Sequence, residues 1–200
     1  NASCTITNST INNNHGSDEG GGIYAASGLG GITELYLFNS TIRNNDGSQY
    51  SNGGGIYADE LKILQIDGCN INNNECDDEG GGIYCEYITS RFTISNSSIN
   101  NNNSDFDCGG GIYIYDASCT ITNSNINANE AEDMAGGIWF GEGEVEDEKE
   151  LYLINCNVTG NECTDSGGGF FMDSGKHCGI EGTSVSSNTI TGFGGQSGGG

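Results

Sequence analysis

Ile71-Asn72-Asn73-Asn74, followed by Gly80-Gly81-Gly82-Ile83-Tyr84, decides how this chain is read, because both phrases return along its 200 residues. The glycine phrase recurs as Gly20-Gly21-Gly22-Ile23-Tyr24, Gly53-Gly54-Gly55-Ile56-Tyr57 and Gly109-Gly110-Gly111-Ile112-Tyr113. It drifts to Gly136-Gly137-Ile138-Trp139 and Gly167-Gly168-Gly169-Phe170-Phe171. From Ile23 through Ile56, Ile83, Ile112 and Ile138 to Phe170, the steps are 33, 27, 29, 26 and 32 residues. A period of that size means stacked supersecondary units, each too small to bury a core alone. With Asn1 at one end and Gly198-Gly199-Gly200 at the other, residues 1–200 are expected to be one segment of a longer array, cut at a repeat boundary.

The second phrase defines the unit. Ile11, Ile42, Ile71, Ile99, Ile126, Val158 and Val185 are each followed three places later by Asn14, Asn45, Asn74, Asn102, Asn129, Asn161 and Asn188. Five places before that aliphatic column stand Ile6, Leu37, Ile66, Ile94, Ile121, Leu153 and Ile180, and seven places before stand Cys4, Leu35, Leu64, Phe92, Cys119, Leu151 and Cys178. A spacing of two is the strand period, with alternate side chains turned inward. Three places before the aliphatic column the chain holds only Asn8, Asn39, Gly68, Asn96, Asn123, Asn155 and Gly182. Asn and Gly tolerate positive φ best, so this column predicts a left-handed corner joining two short strands.

One rung is therefore a strand at Gly-Ile-Tyr, a loop, a strand such as Leu35-Tyr36-Leu37, the corner, a third short strand, an Asn turn and a variable lateral loop. The fold class is all-β: a parallel β-helix of about seven rungs with three short strands each. A helical solenoid fails, since no 3.6-residue period occurs and the repeats are rich in Gly, Asn and Thr. The Asn column is expected to be structural, a ladder of side-chain amides between rungs. Ile-x-x-Asn followed about ten residues later by Gly-Gly-Gly-Ile resembles the paired repeat of polymorphic outer-membrane-protein-type adhesins, in which Phe-x-x-Asn alternates with Gly-Gly-Ala-Ile. The likeness covers nearly the whole chain, with Ile or Val for Phe and Gly for Ala, and without an autotransporter barrel. It implies a right-handed β-helix of the pectate-lyase-like superfamily, the hand that parallel crossovers also favour.

A net charge of −23, with five basic residues against 28 acids, argues against nucleic acid and anionic lipid as partners. No apolar run approaches the roughly 20 residues that span a bilayer, so no membrane insertion is expected within this segment. Nine cysteines in a β-rich chain point to an oxidising compartment. The C-x6-C frame repeats at Cys69–Cys76 and Cys156–Cys163, which predicts two disulfides around the Asn turn. Cys4, Cys119 and Cys178 read as small buried hydrophobes, and Cys85 with Cys108 as an open pair in which Cys85 also fits an inward column. A zinc site lacks the necessary C-x2–4-C pair.

Sequons fall at the corner in three rungs, at Asn8, Asn39 and Asn96, with further ones at Asn157 and Asn1, so a eukaryotic source would glycosylate one edge of the rod. Tyr24, Tyr57, Tyr84, Tyr113, Trp139 and Phe171 alternate to the outside as a stripe, either a sugar or rod contact or, as preferred, rings stacked on one another. The glycines before it leave room for a loop, a glycan or a neighbouring rod. Acidic loops, including Asp18, Glu19, Asp77, Asp78, Glu79, Asp105, Asp107, Asp133 and the stretch from Glu142 to Glu150, offer calcium-type oxygen ligands. None has an EF-hand or nonapeptide pattern, so no cofactor is expected and solvated charge is the preferred reading.

Catalysis is not expected, since the basic residues of polysaccharide lyases and the Gly-His-Gly and Arg-Ile-Lys motifs of polygalacturonase-like hydrolases are missing. A Thr ladder for ice binding is interrupted by Tyr36, Phe38, Gln65 and Asp67. What remains is an extracellular or cell-surface rod or filament subunit that self-associates end to end or laterally. An adhesin binding glycans is the alternative, and a polysaccharide-active enzyme the remote one.

Overall fold

The computed structural model describes residues 2–28, 32–48, 50–141, 143, 149–175 and 177–192. Asn1, Glu142, Glu144, Glu146, Asp147, Glu148 and Gly198 to Gly200 lie outside the described residues. The chain winds into rungs that stack through four parallel sheets, three of seven strands and one of six. The third rung shows the pattern: Ile63–Asp67 in sheet one, Asn70–Asn72 in sheet two, Glu75–Cys76 in sheet three and Ile83–Glu86 in sheet four. Sheet three is a two-residue strand just after the ladder Asn, where three strands per rung would have left a loop. It is too short to show an alternation in sequence.

Register is in phase along the rod. Leu64 pairs with Leu35 and Phe92, Ile71 with Ile42 and Ile99, and Tyr84 with Tyr57 and Tyr113. Because like stands on like, each inward column becomes a continuous apolar file. Leu37, Ile66, Ile94, Ile121, Leu153, Ile42, Ile71, Ile99 and Ile126 are all fully buried in one core cluster. Each such burial contributes about 1.5–3 kcal/mol before chain entropy. The predicted corner is present in every rung: Asn8, Asn39, Gly68, Asn96, Asn123, Asn155 and Gly182 have φ between 48° and 65°.

Gly80-Gly81-Gly82 explains the glycine phrase. Gly80 has φ +75°, a Cβ on Gly81 would overlap the backbone of Asn103 in the next rung, and one on Gly82 would lie 2.5 Å from the Gly111 carbonyl and 2.9 Å from the Asn102 amide. The space expected for a foreign loop, glycan or rod is filled by the chain's own next rung.

Candidate functional site

The seven Asn side chains form one continuous ladder. Asn74 Nδ2 donates to Asn102 Oδ1 at 3.0 Å and to the Ile42 carbonyl at 3.1 Å, while its backbone N–H donates to the same Asn102 Oδ1 at 3.0 Å. The arrangement repeats from Asn45 through Asn102 and Asn129 to Asn161, with Asn14 and Asn188 at the ends. Each interior amide thus uses both hydrogens and both acceptor positions of its oxygen, which permits its burial at 1% exposure or less from Asn45 to Asn161.

A second ladder, hydroxylic, escaped the sequence reading. Ser97 Oγ donates to the Ser95 carbonyl and accepts the N–H of Cys69, and Ser124 Oγ accepts the N–H of Ser97. Ser9, Ser40, Cys69, Ser97, Ser124, Cys156 and Thr183 form this column, and its signal was the near-constant Ser one place after the corner. The column corrects the disulfides. All nine cysteines are free thiols. Cys69 sits in the main core with its Sγ donating to the Asp67 carbonyl at 3.5 Å, and Cys156 donates to Ile154 and Ile121 carbonyls. Cys76 and Cys163 turn instead beneath the lateral loops, toward the Asp78 and Glu79 carbonyls and the Ser166 carbonyl respectively. One member of each predicted pair thus lies in the main core and the other against the carbonyls of its lateral loop. Cys85 is fully buried in the main core and Cys108 lies in a separate cluster with Ala135 and Trp139, so that pair is apart as well. Burial pushes the thiols of Cys85 and Cys119 far above their ordinary range, which keeps them protonated and unreactive.

The corner sequons Asn8, Asn39 and Asn96 are exposed, as is Asn157. Their amides are partly engaged: Asn96 Nδ2 donates to Asp67 Oδ1 at 2.7 Å, and Asn157 Nδ2 to Asn125 Oδ1 at 3.0 Å. The hydrogen bonds from Ser95 and Asn96 hold Asp67 below the usual carboxylate range.

The outer aromatics stack face to face. Centroids of Tyr24, Tyr57, Tyr84, Tyr113 and Trp139 are separated by 5.1, 5.0, 5.2 and 4.3 Å, with planes within 8°. Tyr84 and Trp139 are each only 7% exposed, whereas Tyr24 at the end is 58% exposed. From Tyr57 to Tyr113 both ring faces are covered by neighbouring rings, so those rungs present ring edges to solvent, whereas Tyr24 has a ring neighbour on one face only. Carboxylates flank it. Tyr84 donates to Glu86 at 2.6 Å, and burial followed by this bond drives its phenol pKa upward.

On the other flank the lateral loops hold Asp78, Asp107, Asp133 and Asp165, the last three linked by backbone bonds from the Asp133 N–H to the Asp107 carbonyl and from the Asp165 N–H to the Asp133 carbonyl. Burial first, then the Asp107 charge, raises Glu79 to about 7; burial also raises Glu19, Asp78 and Asp133, with neighbouring carboxylates adding to it. Oxygens of Asp107 and Asp133 and the Cys108 sulfur lie within 4.8 Å of one another. Calcium takes six to eight oxygens, and two carboxylates with one thiol do not make that cage.

The register also brings His15 to Asp46 and Ser48, 31 and 33 residues further along. His15 Nδ1 is 3.0 Å from Asp46 Oδ2 and His15 Nε2 is 3.3 Å from Ser48 Oγ. The connectivity is that of a hydrolytic triad. However, the His15 and Asp46 side chains are 62% and 50% exposed, and the Ser48 N–H is already bonded to the Gly16 carbonyl. The site is open to water, and the Ser48 N–H is not free to serve as an oxyanion donor.

A family model described as "Right handed beta helix region" matches residues 1–146, nearly three quarters of the chain, over the same stacked rungs and corners. The chain belongs to the right-handed β-helix family. Comparison with curated proteins and with solved structures gives no match. In this right-handed β-helix the most regular features, the Asn and hydroxyl ladders, are inward and structural, and chemistry available to a partner is confined to the outer sheet faces and loops. Among the described residues no helix is long and apolar enough to cross a membrane.

Proposed function

We propose that this right-handed β-helix is a segment of an extracellular or cell-surface structural rod, extended by adding rungs and without catalytic activity of its own. The observation that carries this reading is the continuity of the Asn ladder through the described rungs. Asn14 Oδ1 in the first rung has no donor among the described residues, and in the last described rung the Asn188 N–H and one amide hydrogen have no acceptor among them, the other amide hydrogen going to the Val158 carbonyl. These are complementary halves of one interaction. A rung of the same pattern, from this chain or another copy, would dock on either end and continue all four sheets. Exposed sequons at Asn8, Asn39 and Asn96 support a surface location, with glycans along one edge. The free thiols remove disulfides as support for it. Likeness to the adhesin-type repeat and to pectate-lyase-like helices supports the same surface role.

Electron microscopy and fibre diffraction of native material test this. Continuous rods with an axial repeat of about 4.8 Å are expected; compact particles without it would overturn the proposal. A second reading, glycan binding by an adhesin, is favoured by a trough on the outer face of sheet one.

A further inference from the structure

The outward file of sheet one runs Thr5, Tyr36, Gln65, Thr93, Thr120, Tyr152 and Gly179 through the paired registers. Two small residues therefore stand between two larger ones, Gln65 and Tyr152. Three rung steps separate Gln65 from Tyr152, about 14 Å at ~4.8 Å per step. The space above Thr93 and Thr120 is a trough of about 210 Å³ whose polar lining includes Arg91, Thr93, Ser118, Thr120, Glu150 and Tyr152.

Both walls are held back from its floor. The Tyr152 ring leans away over Gly179, where a Cβ would lie 2.6 Å from its Cδ1, and its hydroxyl donates to Glu150 Oε2 at 3.1 Å. On the other side Arg91 Nη2 donates to Gln65 Oε1 at 3.2 Å, fixing the guanidinium toward the preceding rung. Glu150 is itself anchored by its N–H on Ser118 Oγ at 3.1 Å. The Thr93 and Thr120 hydroxyls make no hydrogen bond among the described residues. The trough is thus a preformed site with a braced aromatic wall, free hydroxyls on the floor, and one guanidinium and one carboxylate on the rim.

We propose that this trough binds a neutral saccharide, one or two pyranose units of an oligosaccharide chain. A pyranose ring has an apolar face that packs on an aromatic ring and a belt of hydroxyls that both donate and accept. Tyr152 supplies the first contact; Thr93 and Thr120, the Arg91 guanidinium and the Glu150 carboxylate supply partners for the second. A neutral ligand fits better than a uronate, because the single rim cation is already bonded to Gln65, a carboxylate shares the rim, and the chain carries a net charge of −23. The inference rests on the glycan-binding reading and is independent of rod assembly, so failure to image rods leaves it standing and failure to bind sugar leaves the rod standing.

The test is saturation-transfer NMR and titration calorimetry of the whole chain with cellotetraose, mannotetraose and chitotetraose. At least one is expected to bind, and Tyr152→Ala and Thr120→Trp, the latter filling the trough from an outward position, should each weaken binding by about tenfold or more. Tyr24→Ala in the aromatic stripe should leave it unchanged. Absence of binding by all three sugars, or Thr120→Trp binding as well as the parent while retaining its β circular-dichroism signature, would sink the proposal.

Discussion

The inner Asn ladder and the outer aromatic stack run the same length of the rod, yet one holds Asn in all seven rungs while the other passes from Tyr to Trp139 to Phe171. The difference lies in what each stack requires of its members. A ladder amide must offer two donors and a doubly accepting oxygen at fixed geometry, and no other side chain of that length does so. A stacked ring needs a flat face near 5 Å from the next, which Tyr and Trp both supply. Directional bonding fixes residue identity, and surface packing fixes only shape.

The largest test of this contrast is Asn102→Leu. It leaves the Asn74 N–H and one Asn74 amide hydrogen without partners and removes the amide donor to the Ile71 carbonyl, at a cost of about 3–6 kcal/mol in urea unfolding. The same change at exposed Asn14 should cost under about 1 kcal/mol. Equal losses at the two positions would mean that the ladder is not the determinant. In the outer stack, Tyr84→Ala removes contacts with Tyr57 and Tyr113 and is expected to cost about 1–3 kcal/mol. Tyr84→Trp, the residue already used at position 139, should cost less than about 1 kcal/mol.

Proton linkage sharpens the comparison further, because the inner ladder carries no titratable group while the outer stack is flanked by carboxylates. Glu79 has a folded pKa of about 7, above its unfolded value near 4.5. The folded state therefore binds the extra proton between those limits, and its stabilising contribution is full below the lower limit and lost as pH rises through about 7. The melting temperature should fall from pH 5 to pH 8, with Glu19, Asp78 and Asp133 acting in the same sense. Glu79→Gln should flatten that slope, and an unchanged profile would clear Glu79 of any part in it. Asp67, held low by Ser95 and Asn96, acts in the opposite sense at acid pH, losing its contribution as pH falls through its folded pKa.

The smallest expected effects concern the thiols. Cys69→Ser and Cys156→Ser place in the hydroxyl ladder the residue most other rungs already use, so each should alter stability by no more than about 0.5 kcal/mol. A disulfide at either position would instead raise the loss to about 2–4 kcal/mol. All nine cysteines should react with a thiol reagent in denaturant.

Much of the architecture was legible because stacking in register turns a three-dimensional neighbour into a sequence neighbour at a fixed offset. The Ile66 and Ile71 columns, the Asn ladder and the αL corner at Asn96 all show this, since each demands one chemistry in every rung. A second left-handed column escaped notice at Asn13, Asn44, Asn73, Asn101, Ala128, Gly160 and Ser187. There the conformation is enforced by flanking strands, and Ala128 and Ser187 break the compositional signal. The hydroxyl ladder was masked in the same way by Cys69 and Cys156.

Sequence by itself therefore determined the rung, its corners, the inward files and the identity of the ladder, because those depend on periodicity and on side-chain types that cannot be exchanged. Tertiary structure alone decided that Cys69 enters the main core while Cys76 turns to its lateral loop, and that the glycines make room for the next rung. It also opened a trough above Thr93 and Thr120. Those outcomes depend on where a side chain leans between rungs about 4.8 Å apart, a coordinate that alternation along a strand does not encode.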